Sequence, residues 1–304
     1  MENLKILVPL DFSDLSTKAL QAAQGMAKIF EGSVTPFHAY IPVTEMDGPY
    51  TLGIGPNTGE DYEDVEDALQ QRLDQTAADY VEPNLLNKGR IAVGNPAHCI
   101  IDSSFDYGMI VMSTHGRTGF SRMLLGSVAE KVLRLSHCPV IVVEKESHFD
   151  PIDRILVTTD FSDNSYTAFP YAYQIAKATG AELDLMHILS YDQFEDQSTA
   201  QTFVSLREQR LHVLAKEYFH DIGSKVNPEV IVSSDTPHET ILNLDTERDY
   251  NLIVMATVGR TGIDYLMMGS TTANVVRHVE TAVLSINPKR PDDRKQLEDE
   301  TEEE

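Results

Sequence analysis

KILVPLDFSD at residues 5–14 returns as RILVTTDFSD at residues 154–163, 149 positions further along the chain. The similarity continues to His38 and His187, with 13 of 34 ungapped positions identical, so it extends well beyond one short motif. A second segment, IVMSTHGRTGFSRMLLGS at residues 110–127, returns at residues 253–270 as IVMATVGRTGIDYLMMGS. Because two separate segments repeat in the same order, the 304 residues are predicted to contain two copies of one fold.

Each copy alternates short apolar runs with helical patterns. The run at residues 6–8 is rich in branched side chains and precedes the turn-forming sequence DFSD, which predicts a buried strand and then a capped helix. Further strands are predicted at residues 33–38, 90–93, 109–113 and 140–144, and in the second copy at 155–157, 183–187, 229–232, 252–256 and 283–286. Helices are predicted at residues 16–30, about 63–86, 96–103, 127–135 and 165–179. This alternation predicts the α/β class, with two tandem doubly wound parallel-sheet domains.

The two predicted domains span residues 1–147 and 152–289, and an acidic tail that we expect to be disordered follows at residues 290–304. Residues 148–151 form the linker between them. Because so short a linker leaves little slack, we expect the two domains to pack against one another.

The chain carries a formal charge of −24, and this charge is unevenly distributed. The segment at residues 45–82 contains 11 acidic residues and a single base, Arg72. So negative a chain repels nucleic acids and anionic membranes, which are therefore not expected partners. A small anion can still be held locally by backbone amides at the start of a helix.

The sequence contains neither an export signal nor an apolar run approaching the roughly 20 residues of a membrane span. Its two cysteines, Cys99 and Cys138, are interpreted as small buried hydrophobic residues with reduced thiols. Together these features predict a cytoplasmic protein.

A glycine-rich loop follows the fourth predicted strand of each copy. In each loop a glycine (Gly116 or Gly259) is separated by nine residues from a Gly-Ser pair that opens a helix, Gly126-Ser127 or Gly269-Ser270. The glycines permit close approach of a ligand, and the helix start offers backbone amides and a hydroxyl to an anion such as a polyphosphate. Glycines that only form tight turns are the alternative, but the recurrence of the whole pattern favours binding.

A carboxylate follows the first strand of each copy, as Asp11 and Asp160. In parallel sheets ligands bind beyond the carboxyl ends of the strands, so these residues are candidates to accept hydrogen bonds from a ribose or to hold a hydrated Mg²⁺. The alternative is a helix N-cap, a role that Ser13 and Ser162, or the aspartates at positions 14 and 163, could equally fill. We predict that Asp11 and Asp160 face the ligand and that their neighbours cap the helices.

The opening motif, the histidine that ends the second strand, and the Gly, nine-residue, Gly-Ser loop followed by PVIVV together resemble the universal stress protein family. The resemblance covers residues 3–145 and 152–288 and is of the tandem type. It implies an adenine nucleotide alpha hydrolase-like, Rossmann-like domain with five strands, a stress-response role and, in many members, ATP binding. It also implies pairing of the last strands, Val140–Glu144 and Val283–Ile286, into a pseudo-dimer within one chain, and leaves a homodimer and protein partners open.

Transferred position by position, the resemblance implies adenine near Ala39 and Ile188, ribose near Asp11 and Asp160, and phosphates on the loops. The full predicted nucleotide-binding set is Pro9, Asp11, Ala39, Ser113, Gly116, Arg117, Gly126, Ser127, Val128, Thr158, Asp160, Ile188, Ala256, Gly259, Arg260, Gly269, Ser270 and Thr271. The chain departs from the family pattern at Ser113 and Ala256, where ATP-binding members usually have a glycine. A side chain there is unfavourable if the loop requires a positive φ, by about 1 kcal/mol or more.

The sequence therefore predicts an ATP-binding regulator, with at most slow hydrolysis because no catalytic base occurs at equivalent positions near the phosphates. Within that set, Arg117 and Arg260 are candidates to neutralise phosphate, and the alternative is that they are solvated on the loop. His38 and His187 are interpreted as hydrogen-bonded core histidines. The rival hypothesis is a protein-interaction module of the same fold that binds no ligand.

Overall fold

The computed structural model describes residues 1–41, 60–114, 125–191, 197–259 and 268–288. Predictions for Gly116, Arg117, Arg260 and the acidic tail at residues 290–304 lie outside these ranges. In chain order, the first half contains β1 (Lys5–Pro9), α1 (Asp14–Ile29), β2 (Ser33–Tyr40), α2 (Glu60–Ala78), β3 (Arg90–Val93), α3 (Pro96–Ser103), β4 (Met109–Ser113), α4 (Ser127–Leu135) and β5 (Val140–Val143). The second half contains β6 (Arg154–Thr158), α5 (Asp163–Tyr166), α6 (Phe169–Thr179), β7 (Glu182–Ser190), α7 (Gln197–Tyr218), β8 (Val226–Ser233), α8 (Pro237–Arg248), β9 (Leu252–Ala256), α9 (Ser270–His278) and β10 (Ala282–Ile286).

All of these strands join one sheet in the order β3-β2-β1-β4-β5-β10-β9-β6-β7-β8. Neighbouring strands of this sheet are parallel except at the centre, where β5 and β10 run antiparallel with Ile141 opposite Leu284. The predicted α/β class with a mostly parallel sheet is therefore confirmed. The pairing expected between the two last strands is present at the junction of the halves.

Successive side chains of each strand point to opposite faces of the sheet. In β1, Ile6 and Val8 pack into one core with α1, α2, α6 and α7, whereas Leu7 packs into a second core with α3, α4, α8 and α9. Both cores contain residues from both halves of the chain. The halves consequently share continuous packing on either side of the sheet.

Two predicted helices end differently from expectation, and a proline explains each case. The helix expected at residues 165–179 is divided into α5 and α6, because Pro170 lies in the first turn of α6 and lacks the amide needed to continue a helix from α5. The helix expected to reach about residue 86 ends at Ala78, before Pro83. Beyond that end, Gln24 accepts a hydrogen bond from the Glu82 amide at 2.7 Å.

The segment between the halves is fixed by hydrogen bonds as well as by the sheet. The Ser147 hydroxyl donates to the carbonyl of Glu280 at 2.8 Å, and the Asn251 side chain accepts from the amides of Asp153 and Arg154 at 2.9 Å. The expectation that the two copies pack against one another thus agrees with the structure. None of the helices in the described ranges combines the length and apolar content that a membrane span requires.

Candidate functional site

Within the described ranges, the predicted site residues lie near the point where the strand order changes direction in each half. In the first half β1 stands between β2 and β4, and in the second half β6 stands between β7 and β9. Parallel strands end at the same edge of the sheet, so the ends of β1 and β4, at Pro9 and Ser113, are neighbours. The ends of β6 and β9, at Thr158 and Ala256, are related in the same way.

The carboxylates after the first strand of each half have the same local structure. Oδ1 of Asp11 accepts hydrogen bonds from the Ser13 amide at 3.0 Å and from the Ser13 hydroxyl at 2.6 Å. Oδ1 of Asp160 accepts from the amide and hydroxyl of Ser162 at 2.9 and 2.6 Å. Each carboxylate is half-buried and is oriented by the residue two positions later.

The helix caps are provided by the serines. Ser13 is the N-cap of α1 and accepts from the Ser16 amide, and Ser162 is the N-cap of α5 and accepts from the Ser165 amide, each at 3.2 Å. Of the alternatives that the sequence left open, the capping role therefore falls to the serines. The aspartates that precede them support the caps and are not themselves the caps.

The two histidines bond to the main chain just before these aspartates. Nδ1 of His38 lies 2.7 Å from the Leu10 carbonyl oxygen, and Nδ1 of His187 lies 2.7 Å from that of Thr159. Because a carbonyl oxygen only accepts, we assign the Nδ1 proton to both rings. This hydrogen bond supports the interpretation of His38 and His187 as structural.

The helices that follow β4 and β9 begin close to the strands they follow. The Gly126 amide donates to the Thr114 carbonyl at 3.0 Å, and the Gly269 amide donates to the Thr257 carbonyl at 2.7 Å. Both glycines are N-caps, and neither α4 nor α9 has a side-chain capping hydrogen bond. The amides of the first turn, which include those of Ser127, Val128, Ser270 and Thr271, have no acceptor within their own helix and carry the positive end of its dipole.

In the second half, the loop glycine lies directly against the site aspartate. A Cβ atom built on Gly259 would lie 2.6 Å from Oδ2 of Asp160, closer than any ordinary contact. A Cβ on Gly269 would lie 3.2 Å from the Thr257 carbonyl oxygen and 4.0 Å from the Gly259 amide. The structure therefore brings together Asp160, Gly259 and the N-cap of α9, Gly269, although Asp160 and Gly269 are 109 positions apart in the sequence.

The two departures from the family glycine pattern do not strain the backbone. Neither Ser113 nor Ala256 is among the positive-φ residues of the described chain. The cost anticipated for a side chain at these positions therefore does not arise in this conformation. Ala39, Val128 and Ile188 are partly buried against the second core, on the same face of the sheet as α4 and α9.

Three arginines near these sites were not predicted. Arg72 on α2 stacks over Phe12, and Arg207 and Arg210 on α7 lie over Phe161. The sequence signal that could have identified them is a further repeat, QRL at residues 71–73 and again at residues 209–211. Nowhere in the described ranges do three or more His, Cys, Asp or Glu side chains gather closely enough to hold a metal ion.

Comparison with known proteins matches the model of the universal stress protein family to residues 2–144 and again to residues 151–287. A universal stress protein from Mycolicibacterium smegmatis is 24% identical over 298 residues, which are 93% of this chain and 97% of that protein. Universal stress protein MJ0531 from Methanocaldococcus jannaschii is 31% identical over 156 residues, covering 47% of this chain and 85% of the relative. The crystal structure of a universal stress protein from Archaeoglobus fulgidus is similar with a TM-score of 0.68 over 95% of this chain and all of that one, at 24% identity.

Proposed function

The chain belongs to the universal stress protein family, and on that premise we propose that it binds an adenine nucleotide, ATP, at one or both halves and acts as a cytoplasmic regulator of the stress response. Binding is the proposed activity, and hydrolysis is at most slow. One observation carries the proposal: in the second half the Asp160 carboxylate, the Gly259 backbone and the start of α9 converge at one strand end, and the first half repeats the aspartate and the helix start.

The helix starts are suited to the phosphates. An anion at the N-terminus of α4 or α9 would accept hydrogen bonds from first-turn amides and would be stabilised by the helix dipole. These are local interactions over a few ångströms, so the overall charge of −24 does not exclude them. We assign Gly126, Ser127 and Val128 to the phosphates in the first half, and Gly259, Gly269, Ser270 and Thr271 in the second.

The aspartates are suited to the ribose. Asp11 and Asp160 are each oriented through Oδ1, and a carboxylate oxygen can accept two hydrogen bonds from vicinal hydroxyls. Ala39 and Ile188 offer half-buried apolar surface for the adenine. With the phosphates present, Mg²⁺ would be held by phosphate oxygens and one of these carboxylates.

The proposal is tested by measuring ATP binding calorimetrically with the whole chain and with Asp11→Asn, Asp160→Asn and the double variant. Asparagine retains an acceptor for Ser13 or Ser162, so the helix caps should survive. Loss of a hydrogen bond to a charged group predicts an affinity roughly tenfold to a hundredfold lower in the altered half. Full ATP stoichiometry and affinity in the double variant would place the ligand elsewhere.

Gly259→Ala provides a sharper change in the second half. The added Cβ must displace the Asp160 carboxylate, which is the movable end of a side chain, so affinity should fall with little loss of stability. Gly223→Ala is the matched control, because a Cβ there meets no atom within 4 Å. Equal ATP affinity in the two variants would contradict the assignment of Asp160.

The alternative function is a protein-interaction module that needs no nucleotide. It would be favoured if neither ATP, ADP, GTP nor cyclic AMP raised the melting temperature of the purified chain, with or without magnesium, since a ligand of the native state must do so by mass action. We further propose domain boundaries at residues 1–147 and 152–289. The proposed regulator is also compatible with a homodimer and with protein partners.

A further inference from the structure

A phenylalanine in an unfavourable backbone conformation follows the site aspartate in each half. Phe12 has φ 63° and Phe161 has φ 64°, both in the left-handed region. A bulky L residue rarely adopts this conformation, and it persists only where its surroundings hold it. The same outlier therefore requires the same kind of support at both sites.

The support comes from one histidine and at least one arginine at each site. The Phe12 ring lies 4.6 Å from the His38 ring and 4.2 Å from the Arg72 guanidinium carbon. The Phe161 ring lies 4.4 Å from the His187 ring. Two guanidinium carbons, those of Arg207 and Arg210, are 5.2 and 4.9 Å from its centre. All of these arginines are within the distance at which a guanidinium is attracted to an aromatic face.

The arginine contact recurs together with the sequence repeat. The sequence QRL at residues 71–73 of α2 returns as QRL at residues 209–211 of α7, and Leu73 and Leu211 are both fully buried. Arg210 therefore occupies the position equivalent to Arg72, 138 positions further along, and Arg207 is an additional arginine in the second half. Because equivalent arginines reach equivalent phenylalanines, the stack is a shared feature of the two sites.

The stack fixes the chain on both sides of the aspartate. Before Asp11, the Leu10 carbonyl is bonded to His38, and after it the Phe12 ring is held by His38 and Arg72. The same arrangement surrounds Asp160 through His187, Phe161 and the two arginines. Fixing both neighbours leaves the aspartate little freedom in the direction of its side chain.

We infer that Arg72 in the first half, and Arg207 with Arg210 in the second, are positioning residues that hold the ribose-binding aspartate in place through the adjacent phenylalanine. This inference rests on the proposed nucleotide site. It assigns an effect on nucleotide affinity to α2 and α7, which the sequence pattern connected to no ligand. The arginines act through Phe12 and Phe161 and do not contact the phosphates.

The test uses the full-length chain with one half inactivated. Arg72→Met and Arg72→Lys are made in the Asp160→Asn background, and Arg207→Met with Arg210→Met in the Asp11→Asn background. Binding of ATP and of adenosine, which lacks phosphate, is measured by calorimetry, and the melting temperature is measured without ligand. Lys88→Met, which removes a positive charge from an exposed position outside the stack, is the control.

Methionine should weaken ATP and adenosine equally, by about three- to tenfold, and Arg72→Lys should recover most of the affinity because an ammonium also binds an aromatic face. A loss confined to ATP would mean direct phosphate contact and would overturn the inference. Unchanged affinity, with or without a lower melting temperature, would reduce the stack to a structural contact and would also overturn it. Absence of nucleotide binding in the unaltered chain would instead refute the proposed function, and the inference with it.

Discussion

Asp11 and Asp160 each support the serine that caps the next helix, and each is also the residue proposed to hold the ribose. Oδ1 is used by the serine that caps the next helix, so the orientation of the carboxylate is set before any ligand arrives. A pre-oriented acceptor loses little conformational entropy on binding, which favours affinity. The sequence alone could not say which residue of this Ser-Asp cluster caps the helix, and in the structure the serine caps the helix while the aspartate holds the serine.

Asp245 on α8 is a separate residue whose ionisation should affect stability. Burial raises the pKa of its carboxyl, and the nearby acids Asp249 and Glu280 act in the same direction, although the Thr281 hydroxyl donates to it at 2.7 Å. Because the folded-state pKa exceeds the unfolded value near 4, this group stabilises the fold while protonated, and that contribution is lost as pH rises through the folded-state pKa.

Asp245→Asn should therefore raise the melting temperature relative to the unaltered chain at pH 7. The difference should shrink as the pH is lowered through the raised pKa of Asp245, because the native aspartate is then neutral as well. Melting curves of both proteins across this range measure the effect, with Glu247→Gln on the exposed side of α8 as the control for net charge. A difference independent of pH would contradict the explanation by burial.

At the level of single elements, the N-caps of α1 and α5 stabilise the two helices that begin beside the candidate site aspartates. Ser13→Ala and Ser162→Ala each remove the acceptor for a first-turn amide, and each should lower the free energy of unfolding by about 1 kcal/mol. Urea denaturation measures this loss. Thr17→Ala, which removes an exposed hydroxyl bonded to the Asp14 carbonyl within α1, should have a smaller effect; an equal effect would argue against a specific capping role.

Elements whose ends are marked by a proline, a Gly-Ser pair or the limits of an apolar run were predictable from the sequence. The ranges predicted for α3, β4, α4 and β9 agree with the structure to the residue, because Pro96 and the Gly-Ser pair mark helix starts and continuous apolar runs mark buried strands. α7 was missed because its exposed face carries Leu206 and Val213, which obscure the amphipathic pattern. α8 carries a capping box of Thr236 and Glu239 that could have identified its start.

The sequence predicts those parts of the candidate site that lie close along the chain to a strand or a helix start, and it does not predict contacts between distant elements. The aspartates come two residues after a strand, and the Gly-Ser pairs open the helix that follows the loop after a strand, so their place near the strand ends follows from the topology of parallel sheets. The Arg72–Phe12 contact joins residues 60 positions apart across two elements. No period or turn signal encodes how closely a helix approaches a loop, and the left-handed φ of Phe12 is equally invisible in the sequence.

At the level of the whole molecule, the central antiparallel pair makes one sheet of two repeats. Ile141 and Leu284 face each other across the junction and are fully buried, and both cores continue through it. An apolar junction of this kind should couple the stabilities of the halves. The tandem arrangement therefore favours a single cooperative unit over two independently melting domains.

Calorimetric unfolding should show one transition whose calorimetric and van't Hoff enthalpies agree. Leu284→Asp places an unpaired charge in the junction and should separate the transitions or lower the melting temperature by many degrees. Ser147→Ala is the mild control, because it removes only the hydrogen bonds of one hydroxyl, to the Glu280 carbonyl and from the Glu144 amide. Two well-resolved transitions in the unaltered chain would contradict the coupling.

The central claim concerns where a nucleotide binds, and a crystal structure of the chain grown with ATP tests it most directly. We predict phosphate oxygens within about 3 Å of the first-turn amides of α4, α9 or both, and a ribose hydroxyl on the Asp11 or Asp160 carboxylate of the same half. ATP bound away from both strand ends, or both ends occupied by water alone at millimolar ATP, would contradict the account.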